Sequence, residues 1–158
     1  MMTVEEKISY TLEESFSSLQ LVRDNFCLIG SAALFLSGIK IDEIYDIDIL
    51  VSNRDADFLA VEWRNRLMTA HVTTNDELFS SNFARYKFSV LDIEIMGDLK
   101  VNKKGIWQQL EITDKMSVPI GNFKIIIPTL EHQRSILQFF GREKDHQRIK
   151  LIDKHLLR

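Results

Sequence analysis

An α/β fold, with helices packed on a sheet, is predicted by three observations. A short apolar strand at 26–29 turns at Gly30 into a helical run that closes at Gly38. An alternating strand at 46–51 is followed at once by a capped helix from Ser52, the strand-then-helix order expected of a helix-covered sheet. Gly121-Asn122 joins two extended runs, the second ending at Pro128 before another capped helix. The 158 residues suffice for one continuous core, and no repeat, low-complexity tract or linker divides them. Residues 1–158 therefore read as one domain.

The elements follow in order. Thr3-Val4-Glu5-Glu6 has capping-box spacing, and Val4, Ile8, Leu12, Phe16, Leu19 and Val22 recur at helical intervals, predicting a long first helix. Asp24-Asn25 ends it, and 26–29 reads as a central strand. After the strand at 46–51, Phe58, Leu59, Val61, Trp63, Leu67 and Met68 form a wide apolar helical face, with Trp63 as core. A short strand is expected at 71–74 and a polar loop at 75–82. Residues 85–96 read as one extended run bounded by Gly97-Asp98, with Asp92 and Glu94 on one side and Ile93 and Ile95 on the other. The segment 98–109 is polar and glycine-punctuated, with Trp107 on its rim. Strands at 116–120 and 123–127 follow, then a helix from Thr129 with Leu130, Ile136, Leu137 and Phe140 inward. A last amphipathic helix after Gly141 carries Ile149, Leu151, Ile152, Leu156 and Leu157.

Composition narrows the function. Twenty basic and 23 acidic side chains give a net charge of -3, so nothing global argues for DNA or other nucleic-acid binding. A single cysteine, Cys27, lies in an apolar run; it excludes an internal disulfide framework and a cysteine-rich zinc site, and it suits a reducing cytoplasm. No apolar window approaches the roughly 20 residues of a membrane span. The N-terminus carries acids where a signal peptide carries basic residues, so a cytoplasmic location is expected. His71, His132, His146 and His155 show no metal-ligand spacing.

Chemistry concentrates in 26–51. Asp46 and Asp48 alternate with apolar residues, so a strand sets both on one face, roughly 6.6 Å apart. Like charges held there repel, and a bound divalent cation is the usual relief. The glycine turn at Gly30-Ser31 offers backbone N–H groups and a hydroxyl to a phosphate. With one of Asp92 or Glu94, the two aspartates would supply the carboxylates that a two-metal Mg²⁺ site requires. An EF-hand loop fits less well, because Leu50 takes the third ligand position and the following glycine is absent.

These residues resemble a known family. Gly30-Ser31, then Asp46-x-Asp48 after a short helix and loop, then an acid in an apolar strand, looks like the polymerase-beta-type nucleotidyltransferase in its minimal form. Ile93-Glu94-Ile95-Met96-Gly97 resembles the Ile-Glu-Val-Met-Gly run of small bacterial members. Gly141-Arg142-Glu143-Lys144-Asp145 resembles their Gly-Arg-x-Lys-Asp before the final helix. The resemblance implies an α/β (α+β) fold, a mixed twisted sheet flanked by helices with further helices at the C-terminus. It implies catalytic and metal-binding roles for Asp46, Asp48 and Glu94, with Asp92 as runner-up for the third acid. It also implies nucleotide contacts from Gly30 and Ser31, with Arg142 and Lys144 as basic additions. Where relatives often place a small hydroxyl or basic residue before the first aspartate, this chain has Ile44-Tyr45. Where they often carry a lysine before Gly-Arg, it has Gln138-Phe139-Phe140.

The function implied is Mg²⁺-dependent transfer of a nucleoside monophosphate from a nucleoside triphosphate, ATP among them, to a hydroxyl acceptor with release of pyrophosphate. The acceptor stays open among a small molecule, a protein and an RNA. Residues 75–82, the tail helices or a second subunit would shape its site, so a homo-oligomer or protein partner is part of the expectation. The rival is a non-catalytic, antitoxin-like binding protein that keeps the fold. Arg85, Tyr86 and Lys87 either contact a substrate or form an exposed strand edge.

Overall fold

The computed structural model describes residues 1–69 and 77–157. In chain order the elements are α1 (Val4–Leu19), β1 (Cys27–Ile29), α2 (Gly30–Leu36), β2 (Asp46–Val51), α3 (Asn53–Glu62), β3 (Phe79–Tyr86), β4 (Asp92–Lys103), β5 (Ile106–Gln109), β6 (Lys115–Ile120), β7 (Phe123–Pro128), α4 (Leu130–Phe140) and α5 (Glu143–Leu156). The main sheet runs β1-β2-β4-β3, with β5 added along the outer half of β4; β6 and β7 form a separate hairpin. β2 and β4 are parallel and the remaining neighbours antiparallel, so the sheet is mixed. The connection between β2 and β4 is long enough to hold α3 and β3, as a parallel crossover requires.

Local signals account for most ends. Thr3 and Glu6 form the reciprocal capping box on α1, and the hydroxyls of Ser52 and Thr129 accept from Asp55 and His132 N–H to cap α3 and α4. Gly141 closes α4 in the left-handed region at φ 70. The core packs Ile8, Leu12 and Leu19 of α1 against Ile47 and Ile49 of β2, Ile93 and Ile95 of β4, and the β6–β7 hairpin. Trp63 is buried there, edge-on to Tyr86 and Phe88. Cys27 is buried too, and that burial pushes its thiol up to about 12. α3 crosses β4 so closely that a β-carbon at Gly97 would stand 2.8 Å from that of Ala56.

Five expectations change. β1 is an edge strand of its sheet, not a central one. The run 85–96 is two strands: β3 stops at Tyr86, residues 87–91 reverse direction, and β4 starts at Asp92. That reversal contains no glycine, proline, asparagine or aspartate and is held from outside, by Glu14 accepting from the N–H and hydroxyl of Ser89 and by Phe88 against Trp63. β3 begins at Phe79, inside the expected loop at 75–82, because its residues pair with β4 as far as Val101; residues 75 and 76, and the strand expected at 71–74, lie outside the described residues. The polar segment 98–109 is the end of β4 and all of β5, turning through Lys104 and Gly105, both at positive φ. Finally, Val61, Leu151, Leu156 and Leu157 are exposed, so the apolar faces of α3 and α5 are narrower than the spacing suggests.

Candidate functional site

The floor of the site follows from strand register. β2 sets Asp46 opposite Asp92, Asp48 opposite Glu94 and Leu50 opposite Met96; β3 adds Arg85 opposite Glu94 and Phe83 opposite Met96. Period-two geometry brings these side chains to one face in rows: an acidic row, a charged row, then an apolar row. At Asp98 a positive φ of 48 breaks the alternation, so Leu99 and Val101 continue that face and join Ile29, Ile136 and Phe140 in an apolar cluster with Phe79 and Met96 packed on it. α2 closes one side and the α4–α5 junction forms the roof. Between them lies a cavity of about 900 Å³, acidic at one end, apolar at the other and edged by Arg142, Lys144 and Arg148.

Asp46, Asp48 and Glu94 each present a carboxylate oxygen within 4.8 Å of the others. Asp48 is half-buried as a residue, but its Oδ1 is shut off from solvent and has no hydrogen-bond partner among the described residues. Burial first, then the charges of Asp46 and Glu94, hold the Asp48 carboxyl well above the usual carboxylate range. An orphaned oxygen inside a cluster of acids is unfavourable without a cation. The donor set is all oxygen, which suits Mg²⁺, so these residues fit that ion. Asp92 stands outside the three and is bound to Arg85.

Arg85 is the residue whose place was open in the sequence. Its side chain is only 15% exposed, and the guanidinium touches three acids. Nη1 donates to Asp46 Oδ2 at 3.0 Å and to Glu94 Oε1, while Nη2 and Nε donate to Asp92 Oδ2 at 3.0 and 3.3 Å. Burial works against this charge, but the bonds to Asp92 and Asp46 outweigh it and raise the pKa further.

The glycine turn read from the sequence as a phosphate contact lies between β1 and α2. Gly30 has φ 70, and a β-carbon there would meet Asp48 Oδ2 at 2.5 Å, so only glycine lets the turn lie against the aspartate. Ser31 follows at the mouth of α2, its Oγ accepting from Arg148 Nη2 at 2.9 Å. Lys144 is an exposed residue at the cavity edge; desolvation of its ammonium, then the neighbouring Arg142 and Arg148, lower its pKa. Arg142 lines the same cavity but is committed: it donates from Nε and Nη2 to the fully buried Asp145 at 2.7 and 3.0 Å and lies over the rings of Phe79 and Phe140. Arg148 was not foreseen, although its spacing four residues after Lys144 places both on one helix face.

This arrangement of helices and mixed sheet is the nucleotidyltransferase fold. Two solved structures carry it over nearly their whole length. One is TM1012, a candidate nucleotidyltransferase of Thermotoga maritima, with a TM-score of 0.75 and 22% identity over 94% of this chain and 93% of that one. The other is the lincosamide antibiotic adenylyltransferase LnuA with lincomycin bound, with a TM-score of 0.59 and 18% identity over 96% and 97%. No family model matches the chain, and no curated protein matches it by sequence. Among the described residues no helix is long and apolar enough to cross a membrane.

Proposed function

We propose that this protein transfers a nucleoside monophosphate from a nucleoside triphosphate to a hydroxyl acceptor. The acceptor oxygen bonds to the α-phosphorus, the bond to the bridging oxygen breaks, and pyrophosphate leaves with the electron pair. Asp46, Asp48 and Glu94 would hold Mg²⁺, which supplies positive charge to the transferring phosphoryl group and lowers the barrier to in-line displacement. Glu94, at the acceptor side of the floor, takes the hydroxyl proton. Gly30 and Ser31 hold the triphosphate with Arg148 and Lys144, while Arg142 borders the base or sugar. Asp92 is assigned no ligand role.

The observation that carries this reading is the buried, partnerless Asp48 Oδ1 within 4.8 Å of the Asp46 and Glu94 carboxylates, under a basic roof. A cavity of about 900 Å³ is in the range of small-molecule sites and has room for a nucleotide beside a modest acceptor. Its apolar end, with Phe79, Phe83, Met96, Leu99 and Phe140, suits an acceptor with an apolar body. LnuA, which has the same fold, is an adenylyltransferase of a lincosamide antibiotic.

A second reading has one observation in its favour. Arg85 already neutralises part of the acidic cluster, as it would in a binding protein that keeps the fold without turnover. Labelled-nucleotide transfer to a panel of hydroxyl compounds, compared between wild type and Asp48→Asn, separates the two. Transfer that is lost in the variant supports the enzyme; equal labelling by both sinks the metal assignment. Calorimetric titration with nucleoside triphosphate and Mg²⁺ should show coupled uptake for the enzyme and none for the scaffold.

A further inference from the structure

We propose that Arg85 is a tethered competitor for the cation site, and that Asp92 is the anchor onto which its guanidinium withdraws when a divalent ion enters. The inference rests on the functional reading above, that Asp46, Asp48 and Glu94 bind such an ion and that a triphosphate binds beside it.

The geometry divides the guanidinium into two working edges. Nη1 lies between Asp46 Oδ2 and Glu94 Oε1, two of the three carboxylates whose oxygens converge. Nε and Nη2 both reach one oxygen of Asp92, which faces Asp46 across the β2–β4 pairing but does not belong to the convergent set. A divalent ion takes carboxylate oxygens at about 2.0–2.1 Å, so an ion on Asp46 and Glu94 would bring a second positive charge against Nη1. One of them must give way. Because the other two donors are fixed on Asp92, a small rotation can release Nη1 while the side chain stays paired and half-buried.

The charge balance explains why such a residue is present. Four carboxylates on adjacent strands repel one another, and an uncompensated group of this kind opposes folding. Arg85 supplies the compensation from the neighbouring strand, paired by register with Glu94. The metal-free protein is thereby stabilised and its ion affinity lowered, so that tight ion uptake comes to depend on the added negative charge of a bound triphosphate. Asp92 is a positioning residue in this scheme: it acts on the ion only through Arg85.

Mn²⁺ binding to the protein alone tests the scheme without any transfer assay, followed by electron paramagnetic resonance of free Mn²⁺. Arg85→Gln should bind Mn²⁺ about tenfold more tightly than wild type, a change of about 1.4 kcal/mol. Asp92→Asn should weaken binding severalfold in the wild-type background, because the guanidinium is left to the ligand carboxylates. In the Arg85→Gln background the same change should do almost nothing, since the anchor then has nothing to hold. If Arg85→Gln fails to fold, Arg85→Lys keeps the charge but loses the fork, and should bind Mn²⁺ more tightly than wild type by a smaller factor. Arginine variants that bind no more tightly than a Mn²⁺-binding wild type, or an equal effect of Asp92→Asn in both backgrounds, overturn the competitor. Absence of Mn²⁺ binding in wild type and arginine variants alike overturns the metal site itself, and with it the functional reading.

Discussion

A β-carbon at position 30 would stand 2.5 Å from Oδ2 of Asp48, and Gly30 holds a backbone φ of 70. The β1–α2 turn and the acid strand are therefore fitted to each other through a missing side chain. Asp48 sits where it does because the residue beside it has no side chain to displace it.

Gly30→Ala should then damage function more than stability. The left-handed conformation costs an alanine about 1–2 kcal/mol, and the new methyl group must also push the Asp48 carboxylate aside. A displacement near 1 Å at a reacting centre can lower turnover about 100-fold. Transfer activity measured beside a urea melt of the same variant checks this. Activity near wild type would show that Asp48 does not have to occupy its present position.

Asp48→Asn should stabilise the metal-free protein while abolishing transfer. The folded-state pKa of Asp48 is raised, by burial and then by Asp46 and Glu94, so folding favours its neutral form. Above the unfolded value of about 3.9 its ionisation opposes folding, increasingly until pH passes the folded pKa. Removing the charge should raise stability at pH 8 by about 1 kcal/mol, or about 2–4 °C in Tm for a chain of this size. Near pH 3.5 the two proteins should melt alike. Thermal melts in a chelator at both pH values decide it, and a variant that melts lower at pH 8 contradicts the account.

How much of this could be read from the chain depends on whether the cause is local. Helix caps at Thr3, Ser52 and Thr129, the glycine stop at Gly141 and the alternating strand at Asp46 are local, and the sequence shows them. The reversal at 87–91 is not: its residues, Lys-Phe-Ser-Val-Leu, read as strand, and Glu14 holds it from 75 positions away. Site membership divides in the same way. Asp46 and Asp48 share a strand face by spacing alone. Arg85 reaches Asp46 only because β3 pairs with β4 and β4 with β2, and Arg148 reaches Ser31 across 117 positions. Strand order is a property of the whole sheet, so no window of sequence contains it.

Arg148→Ala should weaken triphosphate binding about tenfold or more, the usual loss when a charged hydrogen-bonding partner is removed. Lys144 should make that binding pH-dependent. Desolvation of its ammonium first, and then Arg142 and Arg148, lower its folded pKa below that of a free lysine, so it loses its proton earlier on the alkaline side. Triphosphate binding should re-charge it and release its strain, which makes affinity fall as pH rises toward the ordinary lysine range of about 10.4. Fluorescent-nucleotide titrations from pH 7 to 10 should show this fall in wild type and a flatter profile in Lys144→Met. Identical profiles would remove Lys144 from the phosphate site.

Asp145→Asn tests what holds the roof in place. Asp145 is fully buried and accepts three bonds from Arg142: the backbone N–H at 3.0 Å, Nε at 2.7 Å and Nη2 at 3.0 Å. One carboxylate thus caps α5 and fixes the guanidinium that covers Phe79 and Phe140. Losing its charge leaves Arg142 half-buried without a counter-ion, which should destabilise the fold by about 3 kcal/mol. The denaturant midpoint should fall with an unchanged m-value, because the folded state stays as compact. Arg142→Met, which removes the stranded cation while keeping an apolar stem over the two rings, should restore part of the loss when combined with Asp145→Asn. Such rescue separates charge pairing from simple packing: if the double variant is no more stable than Asp145→Asn alone, the ion pair is not what holds the α4–α5 junction over the cavity.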